Sequence, residues 1–272
     1  MGLCRKDTGE WGRNPLPAPG GEDGGTGVPS PPMEAPDFDW IHLAETDSTN
    51  RWAADWLRRE GDRSGRPAVI LADRQGAGRG QFGRPWWSAA GRDLTMTFAH
   101  PAPALRADTT PAHWSMVWAM SVREALAPFS AVELRIKWPN DLLAATPAGD
   151  WAKLGGILVE NHWQGGKLAG VLIGVGVNLA PPPAGVDFRA VGLEALRTDP
   201  AGLSPEEVGR QVAAGLACTF RAMPPPEQIV QQYLMSLHGL GEIGVYTRQG
   251  ERHRGVLRGF TAAGEAQFDW LD

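Results

Sequence analysis

Three arginines, Arg74, Arg79 and Arg84, share one glycine-rich stretch: Asp73-Arg74-Gln75-Gly76-Ala77-Gly78-Arg79-Gly80-Gln81-Phe82-Gly83-Arg84-Pro85-Trp86-Trp87. Glycine lets backbone N–H groups come close to an anion, and a guanidinium binds phosphate through two parallel hydrogen bonds. Gripping a phosphate or an acyl phosphate is therefore the chemistry this segment is suited to. Gly78, Gly80 and Gly83 also spell G-x-G-x-x-G, the pattern of a dinucleotide site. That site needs a helix opening at the last glycine, so that its dipole faces the pyrophosphate. Here Arg84-Pro85-Trp86-Trp87-Ser88 follows with no helical periodicity, and no acidic residue ends a second strand further on. No Gly-Lys-Ser/Thr follows either, which rejects a P-loop. By itself such a glycine-arginine stretch is more often a solvated mobile loop.

Three other segments give it context. Thr46-Asp47-Ser48-Thr49-Asn50 is a polar helix start whose hydroxyls either cap the helix or line a pocket. Lys137-Trp138-Pro139-Asn140-Asp141 sets a charged strand end against a sharp turn. Lys153-Leu154-Gly155-Gly156-Ile157-Leu158-Val159-Glu160 opens an apolar strand with a lysine, a position where lysine ordinarily reaches out to water.

The elements around these segments follow from periodicity. Residues 38–43, 67–72 and 93–100 read as strands, the last alternating Leu94, Met96 and Phe98 against Thr95, Thr97 and Ala99. Ser48 opens a helix carrying Trp52, Ala53, Trp56 and Leu57 to Gly61, and a longer amphipathic helix runs from Trp114 to Leu126. Residues 132–138 alternate. The runs 154–159 and 168–179 are joined by Gln164-Gly165-Gly166, as in a hairpin. Ser204-Pro205-Glu206-Glu207 reads as a capping box for a helix to Ala222, and a helix over 227–238 is expected to end at Gly239. Three short strands, 243–248, 253–260 and 265–270, close the chain. The pattern predicts an α+β fold, a mixed sheet with helices packed on it and a small β region after it.

Taken together, the four polar segments resemble the catalytic domain of biotin protein ligases, closely over residues 40–180 and more loosely to 272. The family pattern is a Ser-Thr-Asn helix start, Gln-x-x-Gly-Arg-Gly, Lys-Trp-Pro-Asn-Asp and Lys-Leu-x-Gly-Ile-Leu-x-Glu. All four occur here in the family's order, and Gly174-Val175-Gly176-Val177-Asn178-Leu179 matches a further family strand. The resemblance implies a class II aminoacyl-tRNA synthetase-like sheet with an SH3-like C-terminal region. It implies ATP-dependent activation of biotin to biotinyl-5′-AMP, then transfer to one lysine of a biotin carboxyl carrier protein or domain.

Residue by residue, the resemblance implies that Ser48, Thr49, Asn50, Gln75, Gly78, Arg79, Gly80, Lys153 and Gly156 bind biotin. Arg79, Gln81, Arg84, Trp86, Asn140, Asp141, Lys153 and Asn178 would hold the nucleotide, with Gly83 in the closing loop. Lys153, with Arg79, would be catalytic, because a fixed ammonium offsets the repulsion between the biotin carboxylate and the α-phosphate. Mg²⁺ would accompany ATP with ligands from nucleotide and water; the sequence offers no dedicated cage, and no metal ligand is named. Two other readings stay open, a lipoate or octanoate ligase and a non-catalytic biotin or nucleotide binder of the same fold.

Two features depart from the family pattern. Gln81 stands where many members have arginine, and the C-terminal region holds about three strands, so the barrel is expected to be reduced. Members that also repress transcription carry a helix-turn-helix domain before the catalytic core. Here residues 1–36 hold eight Gly and seven Pro, cannot pack three helices, and are expected to form a disordered tail, with Met33 an alternative start. The formal net charge of −5 agrees with an absence of DNA binding. The expected organisation is a tail over 1–36, a catalytic domain over 37–238 and a β region over 239–272. Two cysteines, no apolar leader and no apolar run longer than 12 residues predict a soluble, cytoplasmic protein without a membrane partner. Pairing of family members through their sheets suggests a homodimer by analogy.

Overall fold

The structure is a computed structural model that describes residues 38–61, 65–101, 103–146, 148–181, 189–198 and 202–271. The expected tail over 1–36 lies outside the described residues. Seven strands form one mixed sheet in the order β1-β2-β3-β7-β6-β5-β4. They are β1 (Asp39–Thr46), β2 (Ala68–Gln75), β3 (Leu94–Pro101), β4 (Leu134–Lys137), β5 (Asp141–Ala145), β6 (Trp151–Gln164) and β7 (Lys167–Val177). β1 and β2 run parallel and are joined through α1 (Thr49–Trp56); the other neighbours are antiparallel. The β6–β7 hairpin turns at Gly165 and Gly166, whose φ of +55° and +76° suit glycine.

The two faces of the sheet are covered differently. Leu94, Met96 and Phe98 of β3 and Val171, Ile173, Val175 and Val177 of β7 form the main core with three helices. Those are α2 (Pro111–Leu126), α3 (Pro205–Arg221) and α4 (Pro226–Ser236). On the opposite face a smaller cluster of Ala53, Trp56, Ala68, Ile70, Ala99 and Leu172 seats α1. The β3 residues read as the polar half of an alternation, Thr95, Thr97 and Ala99, are thus buried too, because β3 is a central strand covered on both faces.

Several boundaries differ from the sequence reading, among them β6, which spans Trp151–Gln164 against the expected 154–159, and α1, whose regular helix ends at Trp56 and not at Gly61. A five-residue strand, β5, follows the Lys137-Trp138-Pro139-Asn140-Asp141 turn, too short to stand out beside it. The strand expected over 132–138 shortens to Leu134–Lys137. The helix expected to reach His238 ends at Ser236 with Leu237 extended, since His238 N–H bonds Ile136 O (2.8 Å) and draws the chain toward the sheet. Gly239, at φ +73°, belongs to the next turn and is not the helix cap.

After that turn, β8 (Ile243–Arg248), β9 (Glu251–Phe260) and β10 (Ala266–Trp270) make a separate antiparallel sheet in the order β10-β9-β8. It is fastened to the main body by Leu257 and Phe260, which enter the large core, and by Trp138, whose ring meets Phe268 edge-on at 5.4 Å.

Candidate active site

The polar segments of the sequence meet on the α1 face of the sheet. Successive β7 residues point to opposite faces. The odd positions are Val, Ile and Val, whereas Gly174 and Gly176 present no side chain on the α1 side. A Cβ at Gly176 would lie 2.4 Å from the Trp86 ring, and one at Gly174 would lie 2.3 Å from Asn50 Oδ1. Gly156 pairs with Gly176 across β6 and β7 and also lies beneath Trp86. The glycines therefore form a floor on which an indole and an amide rest against bare backbone.

At one end of this floor stands Lys153, whose Nζ lies 2.6 Å from Asp141 Oδ1, both side chains being about one-quarter exposed. The ammonium is 5.8 Å from the centre of the Trp86 ring. Two backbone tethers hold Asp141 in place. Asn140 Nδ2 donates to Ile157 O (2.8 Å), and Ile157 N–H donates to Asn140 O (3.0 Å). Tyr233 hydroxyl donates to Pro139 O (3.1 Å), and burial pushes the Tyr233 phenol up, so it stays a protonated donor. Asn178 Nδ2 approaches Lys153 O at 3.4 Å, and Asn178 N–H bonds Leu154 O, tying the end of β7 to the lysine.

The arginine loop folds over from the other side as a pinched hairpin. Trp86 N–H bonds Gly78 O (2.9 Å) and Gly80 N–H bonds Arg84 O (2.7 Å). Arg79 and Arg84 are exposed and make no ion pair among the described residues, whereas Arg74 turns aside to Glu45 (3.8 Å). Phe82 occupies the tip, 90% exposed, at φ +57°. Gln81 lines a cavity of about 80 Å³ with Pro139, Asn140, Ile157, Val159 and the α2 residues Ser115 and Ala119, so this cavity borders α2 and not the glycine floor.

At the far end, Thr49 N–H donates to Gln75 Oε1 at 2.8 Å. Ser48 is the N-cap residue of α1 but makes no side-chain cap bond, so its hydroxyl is not used by the helix. Both ends of the Asn50 amide have a protein partner: Nδ2 donates to Glu160 (2.7 Å) and Oδ1 accepts from Thr97 (2.6 Å). Three residues outside the sequence-derived set also matter. Thr97 and Glu160 connect to Asn50. Asp93 accepts from the N–H groups of Ala89, Leu179 and Ala180 (2.6, 2.9 and 3.2 Å), pinning the segment after β7 that carries Asn178. The sequence signal for Glu160 was a carboxylate in register with Gly156 on the glycine face of β6; Thr97 was hidden in an ordinary strand alternation.

A seven-stranded mixed sheet thus carries, on one face, a glycine-arginine loop and a lysine paired with an aspartate. The sequence model of the Biotin/lipoate A/B protein ligase family matches residues 43–178, half of the chain, and the chain belongs to that family. It is similar to the bifunctional ligase/repressor BirA of Salmonella typhimurium, 34% identical over 188 residues, which are 63% of this chain and 52% of that protein. The biotin–[acetyl-CoA-carboxylase] ligase of Paracoccus denitrificans is 40% identical over 144 residues, 52% of this chain and 55% of that one. The chain thus spans about half the length of the curated relatives it matches. In fold it resembles the biotin protein ligase from Aquifex aeolicus in complex with biotin and ATP, with a TM-score of 0.63 at 22% identity over 86% of this chain and 95% of that one. The Leishmania major ligase with biotinyl-5-AMP gives 0.62 at 20% identity, covering 86% and 96%.

Proposed function

We propose that this chain activates biotin with ATP and transfers it to a lysine of a biotin carboxyl carrier protein or domain. The observation that carries the reading is the Lys153 ammonium held 2.6 Å from Asp141 at the edge of the glycine floor, opposite two exposed arginines. In the first step a biotin carboxylate oxygen attacks the α-phosphorus of ATP, the bond to the β-phosphate bridging oxygen breaks, and pyrophosphate leaves. Both reactants are anions. Lys153 sits where the two would meet, and Arg79 with the loop N–H groups neutralises charge from the solvent side. In the second step the acceptor amine attacks the acyl carbon, AMP departs with the electron pair, and the amine loses a proton.

Thr49, Gln75 and Ser48 are assigned to the ureido head of biotin, Trp86 with Gly156 to its apolar body. Asn140, Asp141, Gln81, Arg84 and Asn178 are assigned to the nucleotide side, and Asn50 supports the biotin end from behind. Among the described residues no group of three His, Cys, Asp or Glu could hold a metal ion, so Mg²⁺ is assigned no protein ligand; it would enter with the triphosphate. No helix among the described residues is long and apolar enough to cross a membrane, and the proposed acceptor is a cytoplasmic carboxylase component.

The test is biotin-dependent exchange of labelled pyrophosphate into ATP, with lipoate and octanoate as alternative acids. Exchange with biotin alone supports the reading. Exchange with lipoate or octanoate alone moves the substrate assignment to those acids, and binding of biotin without exchange leaves a non-catalytic binder.

A further inference from the structure

Behind the biotin end of the site lies a hydrogen-bond relay in which the number of protons decides what the pocket presents. Asn50 Nδ2 lies 2.7 Å from Glu160 Oε2, and a carboxylate only accepts, so the amide is oriented with Oδ1 as its acceptor end. Thr97 Oγ1 lies 2.6 Å from that Oδ1 and 2.8 Å from Thr49 Oγ1. Thr97 has one hydroxyl proton, and it is the only one available to the Asn50 contact. The Thr97–Thr49 contact must then use the Thr49 proton. Gln75 Oε1, 3.2 Å from Thr49 Oγ1, is already served by Thr49 N–H at 2.8 Å. Thr49 Oγ1 is left with unused lone pairs in a residue only 4% exposed, toward which no proton points among the described residues.

We propose that Glu160 is a positioning residue that polarises the Asn50–Thr97–Thr49 relay, so that Thr49 presents an acceptor and the site selects acids bearing an N–H there. This deepens the proposed function and rests on it: the N–H would be one of the two in the ureido ring. A buried acceptor left without a donor is costly, which makes such a site discriminate strongly. Replacing Glu160 by glutamine removes the fixed polarity. Its amide can donate to a turned Asn50, Asn50 Nδ2 can donate to Thr97, Thr97 to Thr49, and the Thr49 proton is released toward the ligand.

The test compares biotin with its two cyclic carbamate isomers, in which one ureido N–H is replaced by oxygen, using adenylate formation as readout. The wild type is expected to favour biotin over one isomer by at least about 100-fold in kcat/KM. In Glu160→Gln that ratio should fall below about 10-fold, with the KM for ATP unchanged, and Thr97→Val should lower it as well. Thr97→Ser keeps the hydroxyl and should retain the wild-type ratio, which a purely structural role of the strand would not require. A wild-type ratio in both Glu160→Gln and Thr97→Val overturns the relay while leaving the ligase reading intact. A wild type that forms no biotinyl-adenylate overturns that reading and this assignment with it.

Discussion

In the proposed reaction Lys153 acts from β6, which gives only Gly156 to the floor, so its charge is removable without removing the floor. Lys153→Ala is expected to slow adenylate formation by roughly 10²–10³, equivalent to about 3 kcal/mol of transition-state stabilisation, with the melting temperature little changed. Single-turnover kinetics beside a melting curve checks this; a rate within about threefold of wild type would remove the lysine from the chemistry. Gln81 is half-buried and lines a small cavity with Asn140 and α2. A guanidinium there would add a charge-assisted bond to the adenylate in place of a neutral one, a gain of about 1 kcal/mol. Gln81→Arg is therefore expected to slow release of biotinyl-adenylate several-fold after dilution, and equal release rates would put this side chain outside the site.

At the scale of elements, the site depends on glycines spaced by two along β7. Gly176→Ala would push a methyl group to within 2.4 Å of a rigid indole, and Trp86 must leave the floor. A displacement of this size is expected to lower kcat/KM for biotin by about 10²-fold while far-UV circular dichroism stays native. A variant of near-normal efficiency would mean that Trp86 contributes nothing where it rests. These glycines also show what the sequence revealed. The motifs and the β6–β7 hairpin were legible, because a loop of Gly and Arg, a Lys-Trp-Pro-Asn-Asp turn and a Gly-Gly turn are local signals. The Thr97–Asn50–Glu160 contacts were not, since they join residues up to 110 positions apart and exist only once β3, β6 and α1 are stacked. Asp93 was missed for the same reason: it looked like the first polar residue of a strand until the loop at 178–180 closed on it.

Over the whole molecule, the small C-terminal sheet braces the turn that carries Asn140 and Asp141. Phe268 and Tyr246 meet Trp138 edge-on at 5.4 and 6.3 Å. Removing the indole by Trp138→Ala should cost about 1–3 kcal/mol, a fall of roughly 3–10 °C in melting temperature, together with a loss of ligase rate. A stable variant of normal rate would show that the two parts act separately. Acid should weaken the fold through its histidines. His100, whose ring lies tilted against Phe220 with centroids 4.4 Å apart, His113 and His238 are each held below the ordinary imidazole value of 6.5, burial being the largest cause. The unfolded chain therefore takes up protons first, and stability present above pH 6.5 declines as pH falls below it. His100→Leu should flatten part of that slope, read from urea midpoints at about pH 7.5 and about pH 5.5. The most direct measurement of the central claim is intact mass of a biotin carboxyl carrier domain after incubation with this chain, biotin, ATP and Mg²⁺. The account predicts a gain of one biotinyl group on the carrier, strongly slowed with Lys153→Ala; a carrier of unchanged mass, beside a known ligase that modifies it, would contradict it.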